Sequence, residues 1–428
     1  MDTAQIFDDF IKNLKVQNEE NIENRFGLIT RRLNIDFYDS DSKSDHGLYV
    51  GSYGRDTAIK GISDLDLLFE LPDSVYTRYN NREGNKQSQL LQDIKSSIAK
   101  TYPQTKVRGD GQVVVIEFNN DIIEICPAFR ESDNSFTYPD SNNGGMWKKT
   151  DPIPEQEKIT SSDIECNGNL INLCRIVRAW KDKNGVKIGG LLIDTFVHDF
   201  FMSKPEYKEY SLENYDLLIR DFFFYLKEMD DDRKYWYAPG SNQHVYKKKS
   251  NFKNRAKRAY ENIIEAIDKK SNNTVYEIWR KVFGKSFPYP KFIQESSYNY
   301  TDKEEYIEEV YPVNITNRVS INCEVIQDGF RPALLRSMRI LSKNKKLLFY
   351  IETTDVIEPY EVVWKVKNEG ELAHRKNMLR GQLIESNEKG NKRREASSFA
   401  GPHNVECYII KEGYCVARDR IDVPISNI

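Results

Sequence analysis

The chain has 428 residues, 39% of them hydrophobic and 30% charged, which is typical of a globular protein with two or three domains. Its formal net charge of -3 argues against a protein that holds long nucleic acid through its overall field, so we expect no stable duplex partner. The apolar run of about eighteen residues that a membrane helix needs does not occur. The first residues also lack the basic head and apolar body of a signal peptide, so we expect a cytoplasmic protein without membrane contacts.

Six cysteines are scattered singly along the chain without a C-x-x-C pair, and the chain has five histidines. This pattern predicts reduced, buried thiols rather than a disulfide framework or a zinc site. The composition instead favours a carboxylate site for a hard cation.

Residues 3 to about 34 place apolar side chains at helical spacing, which predicts one long amphipathic helix or a broken pair of helices. We expect this region to brace the sheet that follows it. A polar loop at 39–44 and a short strand at 48–50 then lead into the most informative stretch of the chain.

Residues 51–66 combine a glycine-rich turn with two closely spaced aspartates. The glycines allow backbone N–H groups to approach a phosphate, and Ser52 adds a hydroxyl donor, although a Gly-Ser pair alone is more typical of an ordinary turn. Eleven residues separate Ser52 from Asp64. Asp64 and Asp66 then lie on a predicted strand, where alternation directs both to one face about 7 Å apart. Because two such carboxylates can share divalent cations, the stretch predicts a nucleotidyl-transfer site.

The sequence of residues 51–72, GSYGRDTAIKGISDLDLLFELP, resembles the catalytic core of the polymerase β-like nucleotidyltransferases. Within that superfamily it is similar to the bacterial cGAS/DncV-like enzymes (CD-NTases, SMODS), whose pattern is close to G-S-x-x-R-x-T-x-I-x-x-x-S-D-h-D, where h is apolar. The resemblance implies an α+β fold with a polymerase β-like sheet and a helical core. It also implies nucleoside triphosphate substrates and two Mg²⁺ ions, with Mn²⁺ as the alternative. The residues implied are Gly51, Ser52, Arg55 and Ser63 for nucleotide binding, and Asp64 and Asp66 for catalysis and metal binding.

The family places a third carboxylate on a neighbouring strand. Residues 113–118 and 121–126 predict a β-hairpin with an Asn-rich turn, followed by Pro-Ala-Phe. The family usually has an Asp three residues before that tripeptide, and this chain has Glu124 there. Alternation sets Glu124 opposite its apolar neighbours, as a metal ligand or general base requires. A solvent-facing Glu is the alternative, and Asp121, which flanks the turn, is a weaker candidate for the role.

Residues 130–159 are rich in Ser, Asn, Asp, Pro and Gly, which predicts a long irregular loop at the border of the active site. Trp147 lies in this stretch. Its indole is suited either to stacking on a base or to hydrophobic anchoring.

Apolar spacing near 3.6 residues predicts a helical region from 170 to 283. One of its helices carries a basic row formed by Arg175, Arg178 and Lys181. Such a row is by default a solvated surface. The helix resembles a core helix of the family, however, and this implies contacts from Arg178 and Lys181 to a triphosphate.

The loop that contains Ser241 and Gln243 is also similar to the family's. It predicts hydrogen bonds to a base or ribose, with a plain turn as the alternative. Gly284 suits a helix C-terminus and Pro288 prevents continuation, so the catalytic unit is expected to end near residue 290.

The C-terminal part of the chain changes its apolar period from 3.6 to two, after an acidic linker predicted at 291–314. Short strand-like runs between Gly, Asn and Pro turns predict an immunoglobulin-like β-sandwich at 315–428. The expected catalytic domains are a nucleotidyltransferase domain with a brace helix at 1–160 and a helical domain that completes the cleft at 161–290.

Four runs in this last domain carry a second resemblance: WKVKNEG from 364, LRG from 379, GPHNVECY from 401 and CVAR from 415. They resemble the adenylyl/guanylyl cyclase and SMODS C-terminal sensor domain, AGS-C, found beside bacterial second-messenger synthases. The resemblance implies a nucleotide ligand. Its expected contacts are a stacking face at Trp364, phosphate-directed forks at Arg380 and Arg418, and polar groups at His403 and Glu406. The alternative is a sandwich core and rim that bind nothing.

Both resemblances together favour an enzyme that joins nucleoside triphosphates into a cyclic di- or trinucleotide, or a short oligonucleotide. The product would be a second messenger of bacterial antiphage (CBASS-type) signalling that acts on a separate effector protein. The runner-up is a template-independent polymerase that makes linear oligonucleotides or extends a nucleic acid end. A third hypothesis is a catalytically dead binding module controlled by nucleotides, against which the intact Ser52, Asp64 and Asp66 argue.

Overall fold

The computed structural model describes residues 2–17, 19–61, 64–119, 121–247, 252–269, 274–288, 304–327, 329–369, 373, 378–398 and 400–426, without the side chain of Asp64. The chain divides into two compact units. One contains Met1–Ser97, Arg108–Ile116 and Asp121–Ile293, and the other contains Ile98–Val107, Glu117–Asn120 and Gln294–Ile428. Within the described residues, no helix has the length and apolar character needed to cross a lipid bilayer.

The first 288 residues form both helices and strands. The helices are α1 (Thr3–Leu14), α2 (Glu19–Tyr38), α3 (Gly51–Gly54), α4 (Asp73–Asn80), α5 (Lys86–Thr101), α6 (Pro152–Glu165), α7 (Asn169–Asn184), α8 (Gly190–Ser203), α9 (Tyr215–Lys227), α10 (Phe252–Asp268) and α11 (Val275–Phe283). The strands are β1 (Gly47–Tyr49), β2 (Asp64–Glu70), β3 (Lys106–Asp110), β4 (Val113–Glu117), β5 (Ile122–Arg130), β6 (Phe136–Asp140), β7 (Met146–Thr150), β8 (Tyr235–Tyr237) and β9 (His244–Tyr246).

The N-terminal region forms the broken pair of helices rather than one long helix. Asp2 caps α1 by accepting the backbone N–H of Gln5 at 3.1 Å, and Lys15 ends the helix in an extended conformation. The apolar face of α1 packs into the helical core, not against the sheet as expected. It is α2 that lies beside the sheet, where the Phe26 ring packs 4.1 Å from that of Tyr49 on β1.

The central sheet has the strand order β1-β2-β5-β4-β3, and β5 continues into β6, which pairs with β7. Strand β2 runs antiparallel to β1 and parallel to β5. Leu65 and Leu67 are buried, as are Ile123 and Ile125 on β5, so alternation leaves the intervening positions on one common face.

The polar stretch at 130–159 is not an irregular loop: it forms β6, β7 and the start of α6. Its Ser, Asn and Gly residues occupy the tight turns between these elements. Trp147 packs its ring 5.1 Å from Tyr76 and 5.7 Å from Phe129, and its indole N–H donates to Asn80 Oδ1 at 3.3 Å. Hydrophobic anchoring therefore describes this Trp.

Residues 304–426 form a β-rich region. Its elements are α12 (Ile307–Val310), β10 (Val319–Ile326), β11 (Ala333–Leu334), β12 (Leu341–Ser342), β13 (Lys346–Thr354), β14 (Glu361–Asn368), β15 (Arg380–Glu385), β16 (Arg393–Ala396), β17 (Gly401–Lys411) and β18 (Tyr414–Ser426). One sheet has the order β11-β10-β13-β16 and the other β12-β18-β17-β14-β15. Side chains from both sheets share one apolar core, and with the helical layers this confirms the α+β class.

The segment predicted as a linker is in part structured. Among its described residues, Ile307 is buried in a second apolar cluster with Val313, Tyr408, Ile410 and Cys415. Backbone hydrogen bonds join Asn314 and Cys415 in the same place. This cluster covers the face of the five-stranded sheet that points away from the shared core.

Phe7→Ala tests whether α1 is an integral part of the helical core. The Phe7 ring is fully buried, with Tyr215, Trp279 and Phe287 at 6.0, 5.3 and 5.7 Å between ring centroids. Its truncation is expected to lower the free energy of unfolding by about 3–5 kcal/mol because a cavity opens among packed rings. Urea unfolding of the full chain, with hydrogen exchange of α1 and α11 peptides, measures the effect.

The matched control for this variant is Asp8→Ala, the next residue on α1. Its side chain is 36% exposed and pairs with Lys12 on the surface, so a change within about 0.5 kcal/mol is expected. Equal stabilities of the two variants would show that α1 is only loosely docked.

Candidate active site

Two carboxylate-bearing positions lie side by side on the parallel strands β2 and β5. Asp66 is the register partner of Glu124, and Asp64 is the partner of Ile122. Paired positions on neighbouring strands are about 4.8 Å apart and point to the same face. The sheet therefore brings Asp66 and Glu124 together, with Asp64 at the same-face position two residues earlier on β2.

Gly51 makes room for the Asp66 carboxylate. It has a φ of +62°, and a Cβ on this residue would overlap Asp66 Oδ2. The backbone N–H of Val50 donates to the Asp66 carbonyl oxygen at 3.0 Å, which fixes the turn against the strand. Only glycine combines this left-handed conformation with so close an approach.

A cavity of about 510 Å³ opens beside this turn. Its size is within the range of small-molecule and cofactor sites. The residues on its wall that matter here are Gly51, Ser52, Arg55, Asp66, Arg178 and Lys181. Five of the predicted nucleotide-binding residues, together with the predicted metal ligand Asp66, thus line one cavity.

Asp194 on α8 lies at the centre of a buried charge network next to this cavity, and it has no exposed surface. Arg178 on α7 donates to both of its carboxylate oxygens, through Nη1 at 2.6 Å and Nη2 at 2.9 Å. Arg55, which follows α3, donates through Nε at 2.9 Å, and Thr57 donates its hydroxyl at 3.1 Å. These bonds tie the glycine-rich turn to the helical layer.

The arginines outweigh the cost of burying this carboxylate. Burial alone would raise the pKa of Asp194, but the charges and hydrogen bonds of Arg178 and Arg55 hold it below its ordinary value. Glu155 on α6 lies 3.5 Å from Arg55, between Oε2 and Nη1. Burial raises the pKa of Glu155 even though Arg55 and the Ser241 hydroxyl act against it. Two arginines and two acids therefore meet beside the cavity.

Residues 1–163 match the sequence family described as Second Messenger Oligonucleotide or Dinucleotide Synthetase domain, abbreviated SMODS. This match covers the nucleotidyltransferase part of the chain. Residues 301–426 match the Adenylyl/Guanylyl and SMODS C-terminal sensor domain. The two resemblances seen in the sequence are thus confirmed, and the chain is a nucleotidyltransferase with a C-terminal sensor domain.

A curated relative, a probable cyclic nucleotide synthase from Bacillus cereus (strain VD146), is 28% identical over 272 residues, which cover 56% of this chain and 81% of the relative. Escherichia coli MS115-1 CdnC, solved with ATP, superposes with a TM-score of 0.50 at 14% identity over 67% of this chain and 99% of its own. The Bradyrhizobium diazoefficiens CD-NTase CdnG, solved in complex with GTP, also has a TM-score of 0.50, at 10% identity over 66% and 96%. At these identities the two structures support the fold alone.

The structure corrects the basic row predicted on α7. Arg175 and Arg178 are buried rather than solvated: Arg175 donates through Nη2 to the Asp56 carboxylate at 2.5 Å, and Arg178 is held by Asp194. Lys181 keeps 34% of its side chain exposed and lies on the cavity wall. The row is thus split between buried ion pairs and one accessible ammonium group. The contacts of Arg178 and Lys181 with a triphosphate stay predictions.

Ser241 and Gln243 lie in the turn between β8 and β9. The Ser241 hydroxyl donates to Glu155 Oε1 at 2.9 Å and accepts the backbone N–H of Gln243 at 3.3 Å. Gly240 has a φ of +84°, and a Cβ there would overlap the carbonyl oxygen of Pro154 at the start of α6. The turn is therefore attached to the charge network, and its contacts with a base or ribose stay predictions. Ser63 lies outside the described residues.

Asp121, the weaker candidate for the third carboxylate, has a structural partner. The buried Arg25 of α2 donates to Asp121 Oδ2 at 3.0 Å. Glu124, in contrast, shares its surroundings with Asp66: burial, together with the nearby charges of Asp66 and Glu124, raises the pKa of the Cys126 thiol to about 12. The geometry thus favours Glu124.

The five side chains predicted to bind a sensor ligand do not lie together. His403 and Arg380 line one cavity between the two sheets. Glu406, three residues after His403 on β17, points to the opposite face of the sheet, where its carboxylate lies 3.9 Å from Lys365 Nζ. Arg418 is exposed on β18 at the position paired with Tyr408.

Trp364 is a core residue of the sensor domain. Its indole is fully buried in the apolar core shared by the sheets, and its N–H donates to Ser386 Oγ at 3.2 Å. The strand alternation of β14 turns it inward, so the stacking face expected from the sequence is not open in this structure.

Sequence reasoning missed Asp194 and Glu155. Asp194 interrupts the apolar run of residues 191–197, and a lone acid in such a run indicates a buried partner. This signal was present but not used. Glu155 stands among polar residues, where nothing distinguishes it from a solvated side chain.

Asp194→Asn removes the charge on which the network depends. It leaves Arg55 and Arg178 buried without their shared counter-ion, so we expect a loss of about 3–5 kcal/mol in unfolding free energy and weaker nucleotide incorporation. The wild-type chain should lose this contribution as the pH falls below the ordinary carboxyl range, because the folded pKa is depressed. Urea unfolding is measured from about pH 3, in the range where carboxyl groups titrate, to about pH 7. The comparison gives both the effect of the substitution and the effect of pH on stability.

Asp199→Asn, on the same helix and 35% exposed, is the matched control. Its stability should stay within about 0.5 kcal/mol of the wild type. A variant of Asp194 that is as stable as this control would contradict the central role of the network.

Gly51→Ala tests the close approach between the turn and Asp66. The added methyl group must displace either the carboxylate or the left-handed backbone, and a shift of about 1 Å at a reacting centre costs roughly 100-fold in rate. We therefore expect a variant that keeps its fold but incorporates nucleotides at a rate about 100-fold lower. Pyrophosphate release from nucleoside triphosphates measures it.

Gly189→Ala serves as the control because its φ is -71° and a Cβ there meets nothing within 4 Å. Unchanged activity is expected. If both variants keep wild-type rates, the packing of Gly51 on Asp66 has no catalytic consequence.

Proposed function

We propose that this enzyme joins nucleoside triphosphates into a cyclic di- or trinucleotide, or a short oligonucleotide, that serves as a second messenger. The observation that carries the proposal is the direct pairing of Asp66 and Glu124 on parallel strands, where Asp66 lines a cavity of about 510 Å³. The relative described as a probable cyclic nucleotide synthase supports it. The structures of relatives with ATP and GTP support nucleotides as substrates.

The residues present fit a divalent cation. Asp66 and Glu124 offer hard oxygen donors on one face of the sheet. Gly51 leaves room for the Asp66 carboxylate, because a Cβ at this position would occupy the same space. Among the described side chains no cluster of three His, Cys, Asp or Glu forms a metal site, and Asp64 would add the further carboxylate. Asp64, Asp66 and Glu124 would hold two Mg²⁺ or Mn²⁺ ions. Such ions neutralise phosphate charge and position the attacking and leaving oxygens.

The chain's own groups have distinct tasks in this proposal. Glu124 accepts the proton of the attacking 2′- or 3′-hydroxyl group, whose oxygen bonds to the α-phosphorus while the bond to pyrophosphate breaks. Ser52 donates to the triphosphate from the glycine-rich turn, and Lys181 contacts it from the cavity wall. Arg55 and Arg178 line the same wall and are held by Asp194, so they present a fixed positive potential.

The remaining parts of the proposal concern recognition and signalling. Ser241 and Gln243 lie close enough to the charge network to support a contact with base or ribose. We further propose an immunoglobulin-like arrangement of the two C-terminal sheets, a nucleotide ligand for this sensor domain, and boundaries near residues 160, 290 and 315. The messenger would act in the cytoplasm, through a separate effector, in defence against phage.

Glu124→Gln tests the third carboxylate. The amide cannot accept a proton and is a weaker cation ligand, so nucleotide incorporation should fall by roughly 100-fold or more while the fold is retained. Release of pyrophosphate, with circular dichroism as the check on folding, measures the variant. Retained turnover would remove Glu124 from the mechanism.

Asp121→Asn is the matched control on the same strand region. Because Asp121 pairs with Arg25, its loss should reduce stability slightly and leave the rate per folded molecule unchanged. The opposite result, an inactive Asp121 variant beside an active Glu124 variant, would reverse the two roles.

Chromatography of the products made from labelled nucleoside triphosphates and deoxynucleoside triphosphates tests the proposed product. A compound that resists phosphatase and has no free 3′ end is the expected cyclic messenger. Ladders of linear product would favour the template-independent polymerase. The absence of metal-dependent pyrophosphate release would favour a binding module.

A further inference from the structure

A cavity of about 200 Å³ lies inside the sensor domain, where the two sheets come together at one end. Its floor is apolar and is built by both sheets, from Leu347, Phe349, Val366, Val405, Val423 and Ile425. Its remaining wall is polar and includes Asn368, His403, Arg380 and Glu395. An apolar floor with a few convergent polar groups is typical of sites for small ligands.

The polar wall is ordered by its own hydrogen bonds. The Asn368 amide donates through Nδ2 to the Met378 carbonyl oxygen at 2.6 Å, so its Oδ1 is left as the acceptor. His403 Nδ1 lies 2.8 Å from that Oδ1 and therefore carries the proton in this arrangement. Both side chains are buried, and both line the cavity.

Arg380 bridges the two sheets over the cavity. Its guanidinium donates to both oxygens of Glu395, at 2.7 and 3.1 Å, and Glu395 belongs to β16 of the other sheet. The backbone of Arg380 is left-handed, with a φ of +59°, next to a break in the register between β14 and β15. An irregularity of this kind re-aims a side chain, and here it turns Arg380 towards the cavity instead of along the strand.

The rim carries an excess of positive charge. Arg393 also donates to Glu395, through Nε at 2.8 Å, so two guanidinium groups face one carboxylate. Burial would raise the pKa of Glu395, but the hydrogen bonds and charges of Arg380 and Arg393 hold it below its ordinary value. The rim therefore stays cationic around neutral pH, which favours an anionic group on the ligand.

The size of the cavity limits what it can enclose. A cavity of about 150 Å³ holds a benzene molecule, so about 200 Å³ admits one heterocyclic ring system and not two nucleosides. The ring would lie on the apolar floor with its polar edge towards Asn368 and His403. Its sugar and phosphate would remain outside, at the arginines.

We propose that this inter-sheet cavity is the nucleotide-binding site of the sensor domain, and that it takes a single nucleobase with the attached phosphate at Arg380 and Arg393. The proposal rests on the sensor function proposed above. It assigns ligand contact to Arg380 and His403 and leaves out Trp364, Glu406 and Arg418. The strained backbone at Arg380 is then the feature that places the phosphate contact over the base.

The test uses the full chain in EDTA, with AMP, GMP, CMP and UMP as separate probes. Hydrogen exchange locates binding: protection at the β14 and β17 ends marks this cavity, and protection at residues 51–57 marks the catalytic pocket. At least one probe should protect the cavity peptides. Val405→Phe, which enlarges a buried side chain on the cavity floor, should abolish this protection, and Arg380→Gln should weaken binding about tenfold or more.

Arg394→Gln is the matched control, since this arginine lies on the same strand but pairs with Glu388 at the surface. It should bind like the wild type. Protection by none of the four probes, or protection that survives in both Val405→Phe and Arg380→Gln, would overturn the proposal. If Val405→Phe does not fold, the Arg380 variant decides alone.

Nucleotide incorporation by the same protein, assayed separately with nucleoside triphosphates and Mg²⁺, separates this proposal from the catalytic one. A wild-type chain that makes product but shows no protection at the cavity would sink the sensor site and leave the synthase proposal intact. If a nucleotide protects the cavity peptides but the chain releases no pyrophosphate, the sensor site is supported and the synthase proposal is contradicted.

Discussion

One buried carboxylate, Asp194, joins the parts that build the catalytic cavity. The glycine-rich turn belongs to the sheet, whereas Arg178 and Asp194 belong to the helical layer, and their ion pairs close the space between the two. A carboxylate without exposed surface is stable here only because two guanidinium groups and a hydroxyl satisfy it. Removal of any partner leaves an unbalanced buried charge, so the wall of the cavity behaves as one unit.

The same reasoning explains which features the sequence predicted. Residue spacing predicted the glycine-rich turn, strand β2 and the position of Glu124, because strand alternation fixes which side chains share a face. The helices α7 to α11 followed from their apolar period. The predictions that failed concerned residues whose contacts lie far away in the sequence. The basic row on α7 was expected in solvent because nothing in its own residues shows that Asp194 and Asp56 lie opposite. The region at 130–159 was expected to be irregular because its turn residues hid two short strands.

The sensor domain shows the limit of motif-based assignment of sites. Its family motifs were correctly recognised, yet the residues within them serve two faces of one sheet. Trp364 belongs to the shared core, whereas His403 reaches a cavity and Glu406 points away from it. Conspicuous residue types identify a family well, but only the pleat of each strand decides which of them can meet one ligand.

The parallel pairing of β2 and β5 also bears on how the protein is made. Parallel strands are joined by a long crossover, so contacts between them form late and slowly in folding. The carboxylate pair therefore has no counterpart in a short N-terminal fragment, and the cavity wall remains open until α8 has left the ribosome. A nascent chain thus contains the whole glycine-rich turn long before Glu124 and Asp194 have been added, so the turn alone carries neither the carboxylate pair nor its buried anchor.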